Sequence, residues 1–318
     1  MSQYPQHAGR RPGLLVIAAV GLLAAACSST TSAAAKASAA GSFPTSIAAA
    51  NGTVHITARP RAIISLSPTA TEMLFAIGAG GQVKAVDKDS DYPRSAPHTS
   101  LDGFQPNVEA IAAYRPDLVV MAGDTSGLIG RLRTLGIPVL SLPAATTLAD
   151  SYNQFDELGA ATGHVHQAAA EVSTMKAQIS RIVHGAAVSH AIRTYYYELD
   201  PTYYSVTSST FVGRVLSLLG LRNIADAAPG AASSGGYPQL SSEFIVQASP
   251  DFIFLADSIC CGQSAHSVAS RPGWSTVTAV QKGQIVTIND DIASRWGPRI
   301  VDLLRIVASA LQKHPSSR

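Results

Sequence analysis

Tyr92, Phe104, Tyr203, Tyr204, Tyr237 and Trp296 fall in segments that read as loops at the ends of strands. Aromatics make up only 6% of the chain, so their collection in such loops is informative. Large planar or chelate ligands are held by apolar and aromatic walls, with a few polar groups fixing their orientation. Asp291 and Arg295, four residues apart, offer one such polar pair. The plain alternative for each aromatic is surface or lobe packing, and for the charged pair a surface ion pair of small value.

Motifs for covalent chemistry are incomplete. Gly123-Asp124-Thr125-Ser126-Gly127 does not form a Gly-x-Ser-x-Gly elbow, and Ser173-Thr174-Met175-Lys176 lies mid-helix without a Lys-Thr-Gly partner. Gly78, Gly80 and Gly81 do not make a dinucleotide fingerprint. His164 and His166, two apart on a predicted helix, point to different faces and are poor co-ligands for one metal. The chain therefore reads as a binder with no catalytic residue, resident metal or cofactor. Cys260 and Cys261 are neighbours in the loop after a strand at Ile253 to Ala256. Thiols outside the cytoplasm seldom stay reduced, so a disulfide between the two, a free pair and a soft-metal site are all open.

The elements that must position these residues start with Arg61 to Pro93. Ala62 to Leu66 is a buried-strand run, and Ser67-Pro68 is an N-cap followed by the residue best tolerated at the first helical position. Thr69 with Glu72 offers an alternative capping box one step later. The helix carries Met73, Leu74 and Ile77 on one face and stops at Gly78. A strand from Val83 to Asp87 then leads into Ser90-Asp91-Tyr92-Pro93. Such units place ligands at the carboxyl ends of their strands.

An internal repeat doubles this organisation. NVEAIAAYRPDLVVMA at 107–122 aligns without a gap on SSEFIVQASPDFIFLA at 241–256, with Glu109/Glu243, Ile111/Ile245, Pro116/Pro250 and Asp117/Asp251 in register. Each half predicts a short capped helix, closed before Pro, and a buried parallel strand. The segments Gly136 to Leu142 and Gly283 to Ile288 correspond as following strands. Leu66 to Gly78 and Val206 to Gly220 correspond more loosely as strand, cap and helix. The fold class is therefore α/β, two similar Rossmann-like lobes. Between them, Thr147 to Thr162 reads as an amphipathic helix, and His164 to Val183 as a second with Ala168, Val172, Met175, Ile179 and Ile182 on one face. One uninterrupted helix joining two lobes is a stiff connection that limits their closure.

The chain has 318 residues, a net charge of +2 and no run of Lys or Arg, which argues against nucleic acid as a partner. Arg10 and Arg11 precede an apolar run, Leu14 to Ala26, too short for a stable span. That run ends in Leu23-Ala24-Ala25-Ala26-Cys27, which resembles a bacterial lipobox with lipidation on Cys27; a plain signal peptide is the alternative. Ser28 to Ala50 is rich in Ser, Ala and Thr and reads as a disordered tether. The expected domains are a signal peptide at 1–27, a tether at 28–58, an N-terminal lobe at 59–162, a linking helix at 163–186 and a C-terminal lobe at 187–318.

In this order (lipobox, ISLSPTATEMLFAIG, SDYP, NVEAIAAYRPDLVV, a long linking helix, SSEFIVQASPDFIF, GPRIVDLL) the chain resembles solute-binding lipoproteins of ABC importers. The class is the helical-backbone one, with the class III periplasmic-binding-protein fold, serving cobalamin, ferric siderophores and haem. The resemblance covers about residues 59 to 313 and is strongest toward vitamin B12-binding members. It implies capture of a corrinoid, or alternatively of a ferric siderophore or haem needing cations such as Arg94, Arg271 and Arg295. It implies delivery to an ABC permease and ATPase complex, with Glu109 and Glu243 docking onto the permease. By default these two glutamates would be solvated helix charges; their equivalence across the repeat favours docking.

Tyr92 and Tyr237 match aromatics of the corrinoid site, Tyr203 or Tyr204 falls near a third, and Asp291 with Arg295 matches a polar pair at the rim. Two aromatic positions of the family hold Gly103, beside Phe104, and Ala122. The resemblance further implies a monomer, exported and lipid-anchored to the outer face of the cytoplasmic membrane. A surface sensor or envelope interaction protein on the same fold is the reading from another class.

Overall fold

The structure is a computed structural model describing residues 41–186 and 192–314. The predicted signal peptide, Cys27 and residues 28–40 of the predicted tether lie outside the described residues.

The first described element corrects the expected boundaries. Strands β1 (Thr45–Ala49) and β2 (Gly52–Ile56) form an antiparallel hairpin, so the part of the predicted tether from 45 to 56 is folded. Its inward residues Ile47, Val54 and Ile56 are buried in the main core. The Ser/Ala/Thr-rich composition upstream masked this short alternation, which gains stability only by packing on helices far along the chain. Asn51 at the turn is engaged too. Its amide donates to the Val139 carbonyl at 2.8 Å and its oxygen accepts from the Ser141 N–H, capping the edge of the neighbouring sheet.

The N-terminal lobe follows as β3 (Ile63–Leu66), α1 (Pro68–Ala76), β4 (Val83–Val86), α2 (Val108–Ala113), β5 (Leu118–Met121), α3 (Leu128–Thr134) and β6 (Val139–Ser141). Its strands make one parallel sheet in the order β4-β3-β5-β6. Then come α4 (Leu148–Thr162) and the linking helix α5 (Val165–Ala186). Thr147 caps α4 in a reciprocal capping box with Asp150. Of the predicted inner face of α5, Ala168, Val172, Met175 and Ile179 are buried and Ile182 is half-buried. At about 1.5 Å per residue the helix is roughly 33 Å long.

The C-terminal lobe repeats the pattern with β7 (Arg193–Glu198), α6 (Phe211–Ser217), β8 (Leu221–Asn223), α7 (Ser242–Ala248), β9 (Phe252–Leu255), α8 (Ala265–Ala269), α9 (Thr278–Gln281), β10 (Ile285–Thr287), α10 (Asp290–Ser294) and α11 (Ile300–Lys313). Its parallel sheet runs β10-β9-β7-β8. The strand expected at the start of Val206 to Gly220 is instead β7, further upstream, and the intervening chain is loop. Tyr195, Tyr196 and Tyr197 are fully buried there, because a parallel strand covered on both faces carries large residues without alternation.

The repeated Pro-Asp has a physical role in both lobes. The Asp117 carboxylate accepts from the N–H groups of Arg61 and Ala62 at 2.7 and 2.9 Å, tying the start of β5 to the start of β3. Asp251 accepts from the Thr194 N–H and hydroxyl at 2.9 and 3.1 Å, tying β9 to β7 in the same way.

Strand side chains divide by period two. Ile63, Leu118, Val120, Tyr195, Tyr197, Phe252 and Phe254 enter one core with Phe155, Met175 and Leu303, shared by both lobes, α4, α5 and α11. Ile64, Val119 and Met121 face a separate core in the N-terminal lobe, and Tyr196, Ile253 and Leu255 another in the C-terminal lobe. Because the hairpin closes the shared core, Ile56→Ala is expected to lower unfolding free energy by about 2–4 kcal/mol. A denaturation midpoint equal to the parent's would show that the hairpin is dispensable.

Candidate ligand site at the seam between the lobes

The carboxyl ends of the strands in the two lobes meet through one ion cluster. Ser67 caps α1 by accepting from the Ala70 N–H, which leaves Glu72 free of the capping-box role the sequence also allowed. Glu72 is instead fully buried and reaches the other lobe. It accepts from Arg295 Nη1 at 2.9 Å, from Arg299 Nε at 3.0 Å and from Arg299 Nη2 at 2.6 Å. Arg295 also donates to the Asp89 carbonyl and pairs with Asp91 and with Asp291. Asp291 is held above the usual carboxylate range, mainly by burial and against the pull of Arg295. The polar pair Asp291/Arg295 is thus a real pair, set inside a larger bridge.

The aromatics divide between this seam and the packing around it. Tyr92 is exposed, with the Arg299 guanidinium 4.3 Å from its ring centroid. Phe104 is 77% exposed on the same lobe. Next to it, Gly103 has a steric reason: a Cβ there would lie 2.9 Å from the Leu66 carbonyl oxygen. Tyr204 and Tyr237 come together in the C-terminal lobe, because residues 203–207 pair with 236–240 through a Tyr204–Gln239 bridge and flanking backbone bonds. Both rings are exposed.

Tyr203 and Trp296 are used for packing. Tyr203, at a φ of 71°, stacks on the buried Trp274 with centroids 5.9 Å apart. Trp296 is half-buried against the shared core. Its indole N–H donates to Gln154 at 2.8 Å, and its carbonyl accepts from the Ser151 hydroxyl.

A second buried cluster lies beneath the C-terminal rim, and of its members the sequence singles out only Arg271. Glu198, at the end of β7, is fully buried and accepts from both Nη atoms of Arg271 at 2.6 Å. Arg271 lies over the rings of Trp274 and Tyr203 and donates to Gln263. Asp257, fully buried at the end of β9, faces this pair. Burial, and then the charge of Glu198, push it up to about 7. Cys260 and Cys261 are joined as a disulfide between neighbours in the loop just beyond.

Glu109 and Glu243 occupy the same place in the two repeats. Each is exposed in the first turn of a short helix, α2 or α7, capped by Asn107 or Ser241. His164 is buried beside Arg59 and Thr162, and its ring serves the fold. An open recess lined by Thr53, His55, Arg133 and Pro138 sits at the amino end of β6, away from the strand ends that carry the tyrosines.

Two parallel-sheet lobes joined by one long helix set aromatic and charged residues where their strand ends meet, and the family to which such a chain is matched makes it a solute-binding transport component rather than an enzyme. The chain belongs to the periplasmic binding protein family, whose sequence pattern matches residues 63–292. It is 30% identical over 318 residues to a cobalamin-binding protein of Halobacterium salinarum, covering 96% of this chain and 85% of that one. It is 29% identical over 279 residues to an uncharacterized ABC transporter substrate-binding lipoprotein of Bacillus subtilis, covering 85% and 86%. The crystal structure of the periplasmic vitamin B12-binding protein of Vibrio cholerae superposes with a TM-score of 0.65 at 26% identity, covering 80% of this chain and 97% of that one.

Two measurements test the clusters. Glu72→Gln removes the buried carboxylate that Arg295 and Arg299 share and leaves them Asp291 and the exposed Asp91, so a loss toward the lower end of about 3–5 kcal/mol in unfolding free energy is expected. Asp257 binds its proton more tightly folded than unfolded, so its stabilising contribution is complete below the unfolded carboxylate pKa of about 4 and is lost as pH rises to about 7. Thermal melts of Asp257→Asn across that window are expected to fall less steeply with pH than those of the parent.

Proposed function

We propose that this chain captures a corrinoid, cobalamin or a close analogue, at the seam between its lobes and delivers it to the permease of an ABC importer. One observation carries the choice of ligand. Arg271, Arg295 and Arg299 are each engaged by buried carboxylates, Glu198 or Glu72, so these guanidinium charges are already countered. An anionic ferric siderophore or a haem, whose propionates need cations, is left the exposed Arg94 of the three cations named for it, because Arg271 and Arg295 are engaged. A corrinoid, with a large apolar body and a periphery of neutral amides, suits the exposed Tyr92, Phe104, Tyr204 and Tyr237. The name carried by the relative from Halobacterium agrees with this choice.

In this reading Cys27 carries the lipid anchor, the protein works as a monomer at the outer face of the cytoplasmic membrane, and Glu109 and Glu243 dock onto the permease. Two acidic knobs in equivalent places suit a two-fold partner, and such pairing governs orientation and on-rate.

Titration with cyanocobalamin, dicyanocobinamide, haemin and a panel of ferric siderophores tests the ligand. Corrinoid binding that weakens about tenfold or more on Tyr92→Ala and on Tyr237→Ala is expected. Binding of siderophores or haemin alone would retire the corrinoid and keep the importer. Binding of none would favour a sensor or envelope interaction protein. Glu109→Lys with Glu243→Lys should abolish stimulation of the transporter while leaving ligand affinity unchanged, and loss of affinity instead would sink the docking assignment.

A further inference from the structure

The loop from Ser258 to Gln263 is exposed and apolar at its tip and fixed at both ends. Ile259 is 66% exposed, and Cys260 and Cys261 beside it are exposed and joined. Linking neighbours removes both thiol donors and most of their rotamer freedom, leaving a small apolar ring of carbon and sulfur. The near end of the loop is pinned by Asp290, whose carboxylate accepts from the Cys260 N–H at 2.7 Å, the Ile259 N–H at 3.0 Å and the Ser258 hydroxyl at 3.2 Å. The far end is pinned by Gln263, which accepts from Arg271 and from the Ser267 hydroxyl.

The position of this loop matters as much as its stiffness. It leaves the carboxyl end of β9, and Asp290 adjoins Asp291, which pairs with Arg295 on the bridge to the other lobe. The equivalent loop of the repeat, after β5, reads Ala122-Gly123-Asp124-Thr125-Ser126-Gly127 and offers no large apolar side chain. Apolar contact at this level of the site therefore comes from one wall only. A stiff apolar surface loses little conformational entropy when covered, which suits it to contact with a large ligand.

We infer that Ile259 and the Cys260–Cys261 ring form the C-terminal lobe's apolar wall of the ligand site, seating one face of the bound corrinoid. The inference rests on the function proposed above, and it adds to the site a loop separate in sequence from those that carry the tyrosines. Asp290 is then a positioning residue for that wall.

Calorimetric titration of the mature protein with the same probe panel provides the test, comparing the parent with Cys260→Ser/Cys261→Ser and with Ile259→Ser, which keeps the disulfide. For the probe that the parent binds, each variant is expected to show a dissociation constant raised about tenfold, the effect of losing roughly 50 Å² of apolar contact. Melting temperatures close to the parent's would establish that folding is intact. Unchanged affinity in Ile259→Ser and in the double variant would overturn the wall and leave the proposed function standing. Failure of the parent to bind any probe would overturn both.

Discussion

A single buried carboxylate, Glu72, ties the two lobes at the level where their strand ends meet. Its two arginine partners lie more than two hundred positions further along the chain, and they bring Asp91, Asp291 and the ring of Tyr92 into the same cluster. Placing one carboxylate and two guanidinium groups out of water is costly, and the pairing roughly offsets that cost rather than exceeding it. What the cluster contributes is geometry: only one relative placement of the lobes gives Glu72 all three of its donors. The shared core behind it, running from β3 through α4, α5 and α11 to β9, opposes large rotation for a separate reason. Seam and core together oppose large relative rotation of the lobes.

The repeat shows how such a structure is assembled from local rules used twice. A side-chain cap opens α2 and α7, a buried Ile holds each helix to its sheet, and an Asp at the mouth of the next strand ties it to the strand beside it. These bonds lie within a lobe and do not depend on the other one. The two lobes differ where the local rules end, in the loops at the carboxyl ends of their strands. The N-terminal lobe places Tyr92 and Phe104 there; the C-terminal lobe places Tyr204, Tyr237 and the disulfide loop.

That division explains what could be read from the residues alone. Strands β3, β5 and β9, the helices around them and the linking helix follow from caps, breakers and apolar runs, all of which act over a few residues. The hairpin could not be read this way, because Ile47, Val54 and Ile56 gain stability only from surfaces supplied much later in the chain. The clusters at Glu72 and at Glu198 were hidden for the same reason. A Glu in the second turn of a helix, or at the end of a tyrosine-rich strand, looks solvent-facing until its partners arrive. Tyr203 and Trp296 have the residue type of ligand contacts, but their surroundings are decided by Trp274 and by Gln154 of α4, both distant in sequence. Side-chain type was legible, and side-chain direction was not.

The restricted motion has a consequence for how such a site achieves affinity. A binding protein that closes widely can assemble its contacts around the ligand, and part of the interaction energy is then used to drive closure. Here the lobes are held by an ion cluster and a continuous core, so contacts must stand nearly in place before the ligand arrives. Preorganisation of that kind requires rigid groups at the rim. The backbone ladder under Tyr204 and Tyr237 and the doubly pinned loop at Cys260–Cys261 each hold an exposed apolar group on a fixed backbone. Rigid rims lower the entropic cost of association. They also restrict the range of shapes accepted, so under the proposed function discrimination would reside in the rim loops, where the two repeats differ.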